Sequence, residues 1–268
     1  MKSKRDKLLI PFLRQMIVDT VQNRNGWTSR QYPVLEKIVV EMSRKDCAVT
    51  AMILLCDMAN HSSNLVRVKV IDLIALISKH AETKTIKHIV SSVMLLSSDM
   101  HQDVRKQSVK AVLSLLCGDM VLSDLERKDL TEQLKVLASD PSHSVALNLL
   151  RALVRFNHSG KNSFRNVLMV EILACVCRRV VQDANERDPE RKLWTHSESS
   201  EIATAIVSTA QAVWQSLSLG GQKELKVPLS QLMRTLHLKC QTYHSQPFKH
   251  TVGETRIIAL EHRYGREN

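Results

Sequence analysis

Apolar positions recur along this chain at helical spacing, and over residues 46–157 they recur in a matched register. From Val104, offsets of 4, 7, 8 and 11 reach Ser108, Ala111, Val112 and Leu115. From Val66 the same offsets reach Val70, Leu73, Ile74 and Ile77, and from Val145 they reach Leu149, Ala152, Leu153 and Phe156. Each set falls on one face of an α-helix. The pattern predicts helices over 63–79, 102–117 and 143–157. In the middle copy, Arg105, Lys106 and Lys110 lie off the apolar face, and Asp103 stands at the start, placed to cap the helix. Each predicted helix is preceded by another apolar helical stretch, over 47–59, 85–97 and 125–138. The turns "NHSSN", "SDMHQD" and "SDPSHS" separate the members of each pair. They are rich in residues that stop one helix and start the next, and Pro141 sits just past the end of a first helix.

Helix pairs repeating at about 40 residues resemble the HEAT or armadillo class of α-solenoid. The middle pair carries the resemblance most fully: Asp99 in the turn, then Asp103, Val104 and Arg105, then an Ala-containing face. The pair before keeps Val66 and Arg67 but has Asn60 and His61 near the turn in place of Asp. The pair after keeps Asp140, Pro141 and Val145 but has Ala146 where Arg is usual. The resemblance implies an all-α fold, an α-solenoid of stacked antiparallel helix pairs wound as a right-handed superhelix. It also implies that each repeat Arg bonds the turn Asp of a neighbouring repeat.

The flanks extend the pattern. Residues 7–22 and 33–44 read as a first helical pair, joined by a linker holding Gly26 and Trp27. A strongly apolar helix follows over 163–183. The charged stretch 184–200 contains Pro189 and lacks periodicity, so it reads as an exposed loop; helices resume at 200–218 and 222–244, with "LGGQ" between them as a stop and turn. These elements form one helical-repeat domain over 1–244, followed by a polar, basic and partly disordered tail over 245–268, in which "TRIIALEHRY" has the pattern of a short helix.

Composition agrees with a helical reading. Aromatic residues are 4% of the 268 residues, against 44% hydrophobic in all, and there are only 7 Gly and 6 Pro, too few for a turn-rich β fold. The core must be aliphatic. No apolar run reaches the roughly 18 residues of a membrane span, and no secretory leader is recognisable, so the expected location is intracellular, either cytoplasmic or nuclear, with reduced thiols.

Catalytic signatures are missing from the sequence: no phosphate-cradling glycine loop, nucleophile elbow or HExxH helix occurs. His237, Cys240 and His244 share a helical face but have no second ligand pair, and Cys175 and Cys177, two apart, point to different sides of a helix and read as packing. No metal or cofactor is expected.

The net charge of +11 raises the question of an anionic partner. Arg67 and Arg105 share a register, and in a stacked array they form a ladder that either faces outward to phosphates or acidic side chains, or inward to the turn aspartates. Lys106, Lys110, Arg151 and Arg155 are placed to face solvent and are the candidate partner or phosphate contacts. Trp194 either folds back onto the body or serves as a binding anchor. The function this pattern predicts is a non-enzymatic scaffold that binds a protein partner with an acidic surface, as an adaptor or subunit of a complex. The alternative is a nucleic-acid binder that uses the same basic residues.

Overall fold

The computed structural model describes residues 11–19, 48–78, 83–118, 121–157 and 163–243. Among the described residues every regular element is helical. A helix over 11–19 (α1) is followed by α2 (Ala48–Met58), α3 (Asn64–Ile77), α4 (Thr83–Ser97), α5 (Gln102–Cys117), α6 (Asp124–Ala138) and α7 (His143–Asn157). Then come α8 (Ser163–Asn185), α9 (His196–Val213) and α10 (Leu219–Tyr243), with 3₁₀ turns at Pro189–Arg191 and Trp214–Ser216. The predicted pair members over 47–59, 85–97 and 125–138 are α2, α4 and α6, and the predicted second helices are α3, α5 and α7. The segment 33–44, Trp27 and the tail 245–268 lie outside the described residues.

Backbone contacts group the chain into two compact units, Met1–Leu134 and Lys135–Asn268, where the repeat pattern suggests one domain. In the first unit, α2 packs on α4 and α3 packs on α5, while each pair also packs internally. In the second unit, α7 packs on α9, α8 packs on α10, and α9 packs beside α8. First helices therefore stack on first helices and second on second, which is the packing of an α-solenoid of the HEAT/armadillo type.

The apolar register explains this packing. Val66, Val70, Leu73 and Ile74 on α3 are buried, as are Val104, Ser108, Ala111, Val112 and Leu115 on α5. Val145, Leu149 and Leu153 on α7 are buried too, while Ala152 and Phe156 are only half-buried. Removing each large side chain from water contributes about 2 kcal/mol. A pair standing alone would leave the outer half of that stripe wet, so the energy is realised only when the next pair arrives.

Helix starts follow local chemistry. Ser123 and Glu126 form a reciprocal cap at α6: the Ser123 amide donates to Glu126 Oε2 at 2.9 Å, and the Glu126 amide donates to Ser123 Oγ at 3.3 Å. Asp103 is not the cap of α5. The capping position is His101, without a side-chain bond of its own, and Asp103 lies in the first turn. Asp99, two residues ahead of His101, accepts the His101 amide at 2.8 Å instead. An acid in the first turn is still favourable beside the helix dipole.

Two boundaries differ from the sequence pattern. The expected loop over 184–200 is shorter, because α8 runs to Asn185 and α9 begins at His196 behind a full capping box of Thr195 and Glu198. Residues 186–195 form the connection. "LGGQ" is likewise not a turn. Leu219, Gly220 and Gly221 open α10, with the Gly221 amide donating to Ser218 Oγ at 3.1 Å. Space is tight at Gly221: a Cβ there would lie 3.0 Å from Val170 Cγ2 on α8, which would have to give by a few tenths of an ångström. Pro228 sits inside α10 and forgoes one backbone hydrogen bond.

The stacking account predicts a contrast within α3. Leu73→Ala, at a fully buried position, should cost about 2–5 kcal/mol in urea denaturation. Leu65→Ala, at a side chain 52% exposed, should change stability by no more than about 0.5 kcal/mol.

Candidate functional site

The turns between paired helices hold the most organised polar chemistry of the first unit. Arg67, in the first turn of α3, reaches the turn of the next pair. Its Nε donates to Asp99 Oδ2 at 2.6 Å and its Nη2 to Asp99 Oδ1 at 2.9 Å, a two-pronged pair with both side chains about 10% exposed. Its Nη1 donates to the carbonyls of His61 at 2.7 Å and Ser62 at 3.0 Å in its own turn. One guanidinium thus closes its own turn and grips the next. Arg105, at the same register on α5, repeats the first of these tasks: its Nη1 donates to the carbonyls of Asp99 at 2.7 Å and Met100 at 3.0 Å. Of the two directions open to the arginine ladder, Arg67 takes the inward one.

Burial pushes the Asp99 carboxyl upward. The Arg67 hydrogen bonds, the His101 amide and the Arg67 charge outweigh this and hold it below the usual carboxylate range. The second unit repeats the Asp turn, since the Ser142 amide donates to Asp140 Oδ1 at 2.8 Å. The side chain that joins it there is Trp194.

Trp194 is 2% exposed and so is not a surface anchor. Its indole Nε1 donates to the Asp140 carbonyl at 2.9 Å, and its backbone amide donates to Asp183 Oδ2 at 3.1 Å. Asp183 also accepts the Leu193 amide at 3.3 Å and pairs with Arg179 at 3.0 Å. The connection 186–195 is therefore pinned at its far end by a buried indole and a buried carboxylate. The sequence carried one clue to this: the Thr195–Glu198 capping box directly after the tryptophan marks a helix start and so a fixed position for the ring.

A further contact that sequence reasoning missed lies nearby. His143 Nδ1, at the start of α7, is 2.7 Å from Glu198 Oε1 in the first turn of α9. Bonds from the Thr195 backbone and side chain, more than the nearby His143, lower the Glu198 carboxyl below its ordinary value. No spacing rule links residues 143 and 198; stacking of α7 on α9 brings them together.

The remaining candidates lie on the outer faces of second helices. On α5, Lys106 is half-buried and Lys110 is exposed; α5 is tied to α3 by Gln107, whose amide donates to Asp72. On α7, in the second unit, Arg151 and Arg155 are exposed one helical turn apart. Counted from the anchors Val66, Val104 and Val145, the position six residues on is Asp72, Lys110 and Arg151.

Cys56, Cys117, Cys175 and Cys177 are free thiols, buried or half-buried in the helices. Cys177 is fully buried, its thiol pushed up to about 12 mainly by that burial, and burial also raises Cys56. Among the described residues, no group of three or more His, Cys, Asp or Glu side chains is placed to hold a metal ion. The side chains of His237 and Cys240, and all of His244, lie outside the described residues. No helix among the described residues is long and apolar enough to cross a membrane.

No protein-family model matches the chain, and no curated protein matches it. Solved structures similar to it include a computationally designed armadillo repeat protein for modular peptide recognition. It is 14% identical, the match covers 85% of this chain and 98% of that one, and the TM-score is 0.36. A designed armadillo repeat protein in complex with the peptide (KR)4 is 14% identical over 83% of this chain and 99% of that one, also with a TM-score of 0.36.

Two outcomes follow from these geometries. Asp99 is depressed in the folded state, so its contribution is complete above the ordinary Asp value near about 4 and is lost as pH falls through the lower folded value. An Asp99→Asn variant should be less stable at neutral pH, and the gap to the parent should narrow on acidification, as read by urea midpoints from pH 7 to 2. Trp194→Phe keeps most of the ring but removes the bond to the Asp140 carbonyl; it should cost about 1–3 kcal/mol by the same measurement.

Proposed function

We propose that this chain is a non-enzymatic helical-repeat scaffold that binds an acidic protein partner, with Lys110 on α5 of the first unit and Arg151 and Arg155 on α7 of the second unit as contacts. The observation that carries this reading is the division of labour among its cations. Arg67 is spent on an internal bridge, while Lys110, Arg151 and Arg155 stand exposed on helices whose apolar faces are turned into the stack. Exposed cations held on well-packed helices, with no enclosed cleft beside them among the described residues, suit an acidic protein segment better than a small substrate. The scaffold would serve as an adaptor or subunit of a complex inside the cell, where its cysteines stay reduced. The same exposed cations favour nucleic acid as the second reading, because phosphates need only a positive surface of suitable spacing.

A tagged pull-down from cell lysate, with and without nuclease, separates the two. The protein reading expects a small set of acidic partners to survive nuclease. It also expects a Lys110→Glu/Arg155→Glu variant to lose them at least tenfold, with a melting temperature within about 2 °C of the parent. Recovery that collapses after nuclease transfers the function to nucleic acid. Partners retained by the charge-reversed variant would contradict the use of this face.

A further inference from the structure

The stacked helices α8 and α10 of the second unit lie close where α10 begins and leave an open cleft further on. Asn166 Nδ2 on α8 donates to the Ser216 carbonyl at 3.0 Å just ahead of α10, and Val170 lies against Gly221. That order makes both helices run the same way. About two turns beyond Gly221, Pro228 interrupts the bonding of α10. Its ring has no N–H and crowds the carbonyl four residues earlier, so the Glu224 carbonyl lacks its usual helical donor. Beside this break, between the two helices, is a cleft of about 340 Å³.

The cleft has an apolar middle and ends of opposite charge. Val170, Ala174 and Pro228 line it as buried groups, and Val227, 61% exposed, adds an open apolar wall. Glu171 and Glu224 line one end. Arg178 and Gln231 line the other, each seven residues further along its own helix, or about 10 Å. Glu171 already has Lys135 Nζ at 3.3 Å. The side chains of Glu224, Arg178 and Gln231 make no hydrogen bond or ion pair among the described residues.

We propose that this cleft binds the C-terminal residue of a partner protein that ends in lysine or arginine. The side-chain cation lies at Glu171 and Glu224 and takes up the Glu224 carbonyl as a further acceptor. The aliphatic stem rests on Val170, Ala174, Val227 and Pro228. The terminal carboxylate meets Arg178 and the Gln231 amide. The lengths agree: an extended lysine holds its ammonium about 6 Å from its own Cα, and a hydrogen bond of about 3 Å at each end completes the span. The volume is at the lower limit of ligand cavities, about 300 Å³, which suits one residue and not a long segment. A free amino acid fits less well, because its α-ammonium would lie beside Arg178; in a polypeptide that nitrogen is a neutral amide. An internal lysine brings no carboxylate to Arg178. The chain's net charge of +11 opposes cationic ligands in general, so preference for one here can come only from the local arrangement.

Fluorescence anisotropy of N-terminally labelled Gly-Ser peptides with the full chain, at low salt, tests this. The peptide ending in lysine with a free carboxylate should bind at least about tenfold more tightly than the same peptide amidated, and than one ending in alanine. Glu224→Gln and Arg178→Gln should each weaken it at least about fivefold, with melting temperatures like the parent's. In Arg178→Gln the free and amidated ends should become equivalent, which a general disturbance of the fold would not produce. An affinity order that follows net charge, with the alanine peptide tighter than the lysine peptide, overturns the proposal. So do equal affinities for free and amidated ends in the parent, indifference to both variants, or no saturation up to about 1 mM. Displacement of the peptide by an equal concentration of free lysine overturns it in favour of the amino acid as ligand.

Discussion

A helix pair with one apolar stripe has a packing problem that it cannot solve alone. Its two helices cover the inner part of each other's stripe and leave the outer part wet. The conformational entropy lost in ordering roughly thirty residues is of the same size as the burial gained, so an isolated pair is marginal. Another pair with the same register, laid on the first, removes the rest of the stripe from water. That requirement dictates the order of contacts in both units, with α2 on α4, α3 on α5, α7 on α9 and α8 on α10. It also explains why the repeat tolerates Ser108 at an apolar position: the side chain turns back to the Arg105 carbonyl at 2.7 Å and presents little polar surface to the neighbouring pair.

Apolar burial sets which faces meet, but it is not directional and fixes the relative height of successive pairs only loosely. In the first unit the Arg67–Asp99 bridge adds that direction. It spans two turns, uses both oxygens of the carboxylate and places Nη1 on two backbone carbonyls. A polar contact this specific penalises a shifted register more than it stabilises the correct one, because a displaced Arg67 would be a nearly buried cation with no partner. In the second unit, the buried Trp194, pinned between the Asp140 carbonyl and the Asp183 carboxylate, fastens the 186–195 connection to the turn ahead of α7. With these polar groups committed to the frame, the exposed charges Lys110, Arg151 and Arg155 are the ones the proposed scaffold would offer to a partner.

Much of this was readable from the apolar spacing. The anchors Val66, Val104 and Val145 are each fully buried, and the second helices lie where the register puts them, because periodicity reports burial directly. The inward direction of Arg67 was one of two alternatives that the sequence left open, and only the position of Asp99 decides it. Trp194 was less legible, since a charged, aperiodic stretch gives no sign of where a single ring points. Composition suggested a loop over 184–200, yet the Thr195–Glu198 capping box was present in the sequence and marks the true start of α9. "LGGQ" failed for a related reason: two glycines read as a turn when the chain is considered alone, whereas Gly220 and Gly221 lie in the first turn of α10, with Val170 of another helix close against Gly221. Contacts such as His143 with Glu198 follow from stacking and carry no local signature at all.

The central claim is that apolar stacking sets the faces and the Arg67–Asp99 bridge sets their register. A double-mutant cycle tests it most directly, with Arg67→Ala, Asp99→Ala and the double variant measured by urea denaturation at neutral pH. The account predicts a coupling energy above about 1 kcal/mol, with the double variant more stable than the sum of the two losses implies. Additivity within about 0.5 kcal/mol would contradict it, because the two side chains would then contribute separately and the register would rest on apolar packing alone.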